Sequence, residues 1–303
     1  MKRSFYTLDV FTDRPLAGNP LAVVRECEGL DSARMQMIAR EFNLSETVFL
    51  LPPRDPVNTA RARIFTPTRE LPFAGHPTIG AAVLIGLLEA PGMIAARDLL
   101  IVIEEEIDAI ACTVRHPKGR TPRASFTLPR LPAPAGIAGS SLAIAAALGL
   151  REDDVGFEGH APAIFSAGNP FCFVPIASAG AMARVAPDLL AWPAAFGHME
   201  RPAAYLYTRD CTQADSAFHA RMFAPGLGMM EDPATGSAVA AFAGALMVNE
   251  KYADGSHTLV IEQGFEMGRP SQIVLGLDIV GGKLMEASIG GSAVIVQQGT
   301  IDL

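Results

Sequence analysis

The sequence predicts an α+β fold of two pseudo-symmetric lobes, each a curled mixed β-sheet around a central helix. Three paired segments and one recurring composition carry this expectation. Arg63-Ile64-Phe65-Thr66-Pro67 precedes Gly75-His76-Pro77-Thr78-Ile79-Gly80, and Arg221-Met222-Phe223-Ala224-Pro225 precedes Asp232-Pro233-Ala234-Thr235-Gly236. Each copy reads R-x-F-x-P followed by polar-Pro-x-x-Gly. The first parts lie 158 residues apart (63 to 221) and the second parts 156 apart (80 to 236). A third pair, Gly18-Asn19-Pro20 and Gly168-Asn169-Pro170, lies 150 residues apart (18 to 168). All three offsets are near half of the 303 residues and keep the same order, which marks two homologous halves. Two copies are too few for a solenoid. Each half also holds many short strands and one long apolar helix.

Taken in order, Phe5 to Phe11 and Leu21 to Val24 read as strands, joined by a loop with Pro15, Gly18, Asn19 and Pro20. Asp31 caps a helix to Phe42 that sets Met35, Ile38 and Phe42 on one face. Glu46 enters the β-branched, apolar strand Thr47 to Leu50. The first R-x-F-x-P strand leads to a helix from His76-Pro77 to about Leu88, stopped before Pro91-Gly92. Ile101 to Ile103 and Ile110 to Val114 form a strand pair, with Glu104-Glu105-Glu106 between them as a solvated turn. The Pro- and Gly-dense segment Lys118 to Gly139 contains the crossover, and Ala124 to Leu128 reads as the first strand of the second lobe. The lobes are therefore expected at 1–123 and 124–284, with the C-terminal strand 285–303 a candidate to join the first.

In the second lobe, Ser140 to Leu148 is a small helix ended by Gly149. Strands follow at Ala163 to Ser166, Phe171 to Pro175 and Ala204 to Thr208, with an irregular Ala/Pro-rich helix between the last two. The second motif then opens its long helix at Asp232-Pro233. Strands at Thr258 to Glu262, Ser271 to Leu277 and Ala293 to Gln297 close the chain.

Half of the residues are apolar and 18% are charged, with net charge −8, so the chain is globular and a poor match for nucleic acid or an anionic membrane surface. Asp9 arrives too soon for a signal peptide's apolar core, and no run of 18 apolar residues occurs, so a cytoplasmic protein is expected. The four cysteines (27, 112, 172 and 211) form no C-x-x-C pair. None is expected to be catalytic. The six histidines have no metal-ligand spacing, and no dinucleotide fingerprint, Walker A loop or G-x-S-x-G elbow occurs, so no metal and no cofactor are expected.

What remains is a set suited to proton transfer. Asp before Pro is a helix-start signal. The two helix starts present backbone amides and a positive dipole end, favourable to an anion such as a carboxylate. Gly75, Thr78 and Gly80 at the first start and Thr235, Gly236 and Ser237 at the second are the candidate substrate-binding residues. A twofold relation between the lobes could point His76 and Asp232 at one shared cleft.

Asp9-Val10-Phe11-Thr12 with Gly18-Asn19-Pro20, then Ser45-Glu46-Thr47, Phe73-Ala74-Gly75-His76-Pro77-Thr78 and Glu231-Asp232-Pro233-Ala234-Thr235-Gly236-Ser237-Ala238, resemble the phenazine-biosynthesis isomerase (PhzF-like) family across the whole chain. The resemblance implies the two-lobed diaminopimelate epimerase-like fold, a cleft between the lobes and a homodimer. It also implies that Glu46 moves a proton between ring carbons of a dihydro-hydroxyanthranilate-like substrate. His76, Asp232 and Ser237 would then orient amino, hydroxyl and carboxylate groups. Related epimerases place a cysteine at each helix start, and this chain has none there.

Chemistry agrees on Glu46. Asp232 as a helix cap would be held ionised, and His76 at the equivalent cap would be held neutral by the dipole. Glu46, flanked by Leu44, Val48 and Phe49, is the carboxylate expected to be desolvated and tuned toward working pH. The catalytic set is thus Glu46, His76 and Asp232, in an isomerase of a small amino or hydroxy carboxylic acid. The alternatives are an amino-acid epimerase or racemase and a non-catalytic acid-binding protein of the same fold.

Overall fold

β1 (Lys2–Val10) and β2 (Asn19–Val24) pair antiparallel, registered from Phe5↔Val24 to Val10↔Asn19. The reversal between them needs Gly18, whose φ is +63° and where a Cβ would collide with the Val10 carbonyl. This computed structural model describes residues 2–303, in two compact units: Met1–Pro129 with Gly290–Leu303, and Arg130–Ile289.

In the first unit, α1 (Ser32–Phe42) is capped by the Asp31 side chain, which accepts the Arg34 amide, and it buries Met35, Ile38 and Ala39. β3 (Glu46–Leu51) runs parallel to β2, and β4 (Ala60–Phe65) antiparallel to β3. After β5 (Glu70–Leu71), which pairs with β4, come α2 (Gly75–Glu89) and α3 (Pro91–Ala96). β6 (Leu99–Glu104) lies parallel to β4, β7 (Ala109–Arg115) antiparallel to β6, and β8 (Arg123–Thr127) antiparallel to β7. α2 is buried from Gly75 to Gly86 and packs on β1, β2, β3, β6, β7 and β8. A helix covered on all sides needs apolar residues all round, which is what Ile79 to Leu84 supply.

The second unit contains β9 (Ala133–Pro134), α4 (Ser141–Leu148), β10 (Ala163–Ser166), β11 (Pro170–Pro175), α5 (Ala179–Arg184), α6 (Trp192–Phe196), β12 (Ala204–Thr208), β13 (Phe218–Ala224) and β14 (Met229–Asp232). α7 (Gly236–Asn249), β15 (Gly255–Gln263), β16 (Ser271–Val280) and the start of β17 (Lys283–Asp302) complete it. Phe242 of α7 sits among Phe173, Tyr205, Tyr207 and Phe218, with ring centroids 4.6 to 5.8 Å away, so the helix is clad by β11, β12 and β13. From Gly290 onward, β17 belongs to the first unit, where it pairs antiparallel with β1 from Lys2↔Asp302 to Val10↔Ala293. It also pairs with β8, closing the first unit's mixed sheet into a barrel around α2. The fold is predominantly β with few helices.

The pairings of β1, β2, β3, β4, β5, β6 and β7 recur in order in β10, β11, β12, β13, β14, β15 and β16. In both series the steps run antiparallel, parallel, antiparallel and antiparallel. A parallel step from the fourth strand to the sixth and a final antiparallel step follow.

Three expectations are corrected. Ala124 to Leu128 does not open the second unit: β8 pairs with β7 from Cys112↔Phe126 to Arg115↔Arg123, so the boundary falls after Pro129 and not at 123/124. The second long helix starts at Gly236 and not at Asp232, because Asp232 is held in β14 opposite Met222. Glu104-Glu105-Glu106 is not a solvated turn. Glu104 accepts the Arg54 and Asp55 amides and the Asn58 side chain, and Glu105 is buried.

Candidate active site

Glu46 is the first residue of β3, opposite Leu21 of β2. Gly80 lies one helical turn beyond His76, and a Cβ there would meet Leu21 Cδ2 at 2.5 Å and Val10 Cγ2 at 2.9 Å. The missing side chain lets α2 close on β1 and β2, which gives Gly80 a packing role. That approach brings His76 Nε2 to 3.5 Å from Glu46 Oε2. The side chains are 6% and 12% exposed respectively, so Glu46 does not point into open water. Burial drives the His76 pKa down to about 3, which makes the contact one between a carboxyl group and a neutral imidazole, not an ion pair. The expected neutrality of His76 thus comes from burial. It is not a cap: Ala74 occupies the N-cap.

Thr78 is turned inward. Its amide and its hydroxyl both reach Ala74 O, at 3.2 and 2.8 Å, and the hydroxyl also meets Glu105 Oε1 at 2.6 Å. Among the candidates of α2, the amides of Gly75 and His76 lack intrahelical acceptors by helix geometry.

In the second unit, Asp232 is buried at the end of β14 and its Oδ2 accepts the Thr235 hydroxyl at 2.6 Å. It does not cap α7, whose N-cap is Thr235. Gln263, at the end of β15, holds this turn. Its Nε2 donates to Asp232 O at 2.8 Å and to Thr235 Oγ1 at 3.0 Å, while its Oε1 accepts the Thr235 amide at 3.1 Å. Ser271 Oγ donates to Pro233 O at 3.0 Å. The Thr235 amide is therefore spent on Gln263, and Gly236 and Ser237 are the first-turn amides without intrahelical acceptors. The structure thus joins Glu46 with His76 in one unit and Asp232 with Thr235 in the other. Sequence reasoning missed Gln263 and Glu105, although the duplication offset of 158 connects them (105 to 263).

Beside Gln263, His219 Nδ1 bonds Glu262 Oε1 at 2.8 Å and Nε2 bonds Glu266 Oε1 at 2.9 Å. Bonding two carboxylates requires both ring N–H groups, hence the imidazolium. Burial opposes that charge, but the two glutamates outweigh it and lift the pKa from 6.5 to about 9. Its stabilisation is complete below 6.5 and lost as pH rises through about 9. In urea melts, native stability should decline over that window and His219→Gln should flatten the decline; an unchanged profile would exclude the charged form.

The four thiols are all pushed upward by burial, Cys27 and Cys172 to about 12 and Cys211 to about 11, which disfavours thiolate chemistry. Among the described residues, no helix is long and apolar enough to cross a membrane.

The model of the phenazine biosynthesis-like protein family (PhzC-PhzF) matches residues 8–299. An uncharacterized isomerase of Mesorhizobium japonicum is 49% identical over 99% of this chain and 98% of its own. The trans-2,3-dihydro-3-hydroxyanthranilate isomerase of Pseudomonas chlororaphis is 31% identical over 99% of both chains. A PhzF-family crystal structure from Bacillus anthracis superposes with a TM-score of 0.88 at 25% identity over the whole of both chains. With a family model spanning nearly its full length and full-length relatives that are isomerases, the chain belongs to the phenazine biosynthesis-like (PhzC-PhzF) family and is an isomerase.

Proposed function

We propose that the chain moves a proton between carbons of a small cyclic amino or hydroxy carboxylic acid, without a cofactor, using Glu46 as the carrier. The observation that supports this most is the recessed Glu46 carboxyl group 3.5 Å from an imidazole that burial keeps neutral. An imidazolium there would pin Glu46 as a carboxylate; a neutral ring leaves it able to take a proton from one carbon and return it to another. His76 then offers a hydrogen bond and no net charge. Asp232, held by Thr235 and Gln263, is an acceptor suited to a polar group of a substrate. The amides of Gly75 and His76 at one helix start, and those of Gly236 and Ser237 with the Ser237 hydroxyl at the other, are donors suited to a carboxylate.

The recurring strand pairings support two homologous halves, each with one such turn. The Pseudomonas chlororaphis relative is named for trans-2,3-dihydro-3-hydroxyanthranilate, and this compound heads the substrate class proposed here. The reading includes a cytoplasmic homodimer, which sedimentation equilibrium would measure. The decisive experiment incubates the enzyme in D2O with trans-2,3-dihydro-3-hydroxyanthranilate and related cyclic amino acids and follows them by NMR. Isomerised product carrying one solvent deuterium on carbon is expected. Complete absence of carbon exchange across the panel would end the proposal.

A further inference from the structure

Glu105 follows β6 and is 8% exposed. Thr78 Oγ1 stands 2.6 Å from Glu105 Oε1 and 2.8 Å from Ala74 O. A hydroxyl carries one proton. Were Glu105 ionised, both neighbours would be acceptors and one short contact would hold no hydrogen. With Glu105 undissociated, its O–H serves Thr78 Oγ1 and the Thr78 proton serves Ala74 O. Glu105 Oε2 has no hydrogen-bond partner among the described residues, a state tolerable for a carbonyl oxygen and costly for a carboxylate. The titratable neighbour facing it is Cys112 of β7, whose thiol is pushed up by burial and then by Glu105 itself. Burial pushes Glu105 up to about 8, against the Thr78 hydrogen bond.

The second unit supplies the comparison. β4 and β6 register Ala60↔Ile103 and Arg61↔Glu104, while β13 and β15 register Phe218↔Ile261 and His219↔Glu262. Each residue has its counterpart 158 positions on (60 to 218, 104 to 262). Glu104 accepts the Arg54 and Asp55 amides; Glu262 accepts those of Thr212 and Gln213, again 158 positions on (54 to 212, 55 to 213). Glu105 therefore corresponds to Gln263. Gln263 is a neutral amide that donates to Thr235 Oγ1, and Thr235 passes its own proton on to Asp232.

We propose that Glu105 is kept as the undissociated acid and positions the first turn of α2, doing for Thr78, and through it for His76, what Gln263 does for Thr235 and Asp232. The hairpin holding Glu105 is tied to the segment leading into that turn by the Ile107 amide, 3.2 Å from Pro72 O. The positioning role rests on the proposed reaction; the protonation state does not.

The test compares wild type with Glu105→Gln and Glu105→Leu. An infrared difference spectrum at pH 7, wild type minus Glu105→Gln, should contain the carbonyl stretch of an undissociated acid; a carboxylate band instead overturns the proposal. The His76 ring resonances in NMR should stay in place in Glu105→Gln and move in Glu105→Leu. With a turned-over substrate, Glu105→Leu should lower kcat about 10- to 100-fold with little change in KM, and Glu105→Gln should restore it. Equal behaviour of Leu and Gln in both readouts would reduce Glu105 to packing. Should no substrate turn over, the infrared and NMR results still decide the matter, while the proposed reaction fails separately.

Discussion

Glu46→Gln should lower turnover by at least about 10²- to 10⁴-fold, the usual worth of a general acid–base group, while substrate affinity changes little. Glutamine has nearly the same shape and can keep the 3.5 Å contact with His76, so the variant removes proton uptake and little else. Deuterium incorporation into product should vanish with turnover. His76→Asn should cost less, because a neutral imidazole contributes a hydrogen bond and no proton transfer of its own. Near-normal turnover in Glu46→Gln would reassign the carrier, and a larger loss in His76→Asn would point to the imidazole.

Arg221→Leu should cost about 3–5 kcal/mol of stability, the penalty for leaving one member of a buried ion pair behind. Arg221 grips Glu231 through two bonds of 2.7 and 2.9 Å, donates to Met182 O at 2.8 Å, and lies 4.8 Å from the Phe223 ring centroid. The two side chains are 8% and 16% exposed. Arg63 repeats the arrangement with Glu70, at 2.6 and 2.5 Å, and with the Phe65 ring at 5.2 Å, but there the side chains are 24% and 30% exposed. Water screens that pair and rehydrates the glutamate left behind, so Arg63→Leu should cost less than half as much. Urea denaturation of both variants makes the comparison. A larger loss for Arg63→Leu would mean that burial does not set the cost.

This explains why R-x-F-x-P was visible as a repeat. The arginine fork reaches the glutamate of the next strand, the aromatic two residues on lies beneath the guanidinium, and Pro67 or Pro225 ends the strand. Local signals of this kind were legible elsewhere: the Asp31 cap, the Gly149 stop with φ +68°, and the strand pair Ile101 to Val114. Long-range effects were not. Asp232-Pro233 has the local look of a helix start, but pairing with Met222 and the grip of Gln263 delay α7 to Gly236. Glu105 stands in an acidic triplet that reads as solvated, yet it is buried against Thr78 in a hairpin tied to Pro72 by the Ile107 amide. Glu46 and His76 could be nominated from their motifs, whereas their contact depends on Gly80 fitting against Leu21 and Val10.

The split composition of the first unit bears on how the chain is made. Its closing segment, Gly290–Leu303, is made after the whole of Arg130–Ile289. The second unit can therefore fold during synthesis, while β1 still lacks its β17 partner along Lys2–Val10. Until that segment emerges the nascent first unit carries an open strand edge, the kind of surface that recruits chaperones or pairs wrongly with a neighbouring chain. A stop codon placed at Gly290 would make that state permanent, yielding a folded second unit fused to a first unit that cannot close.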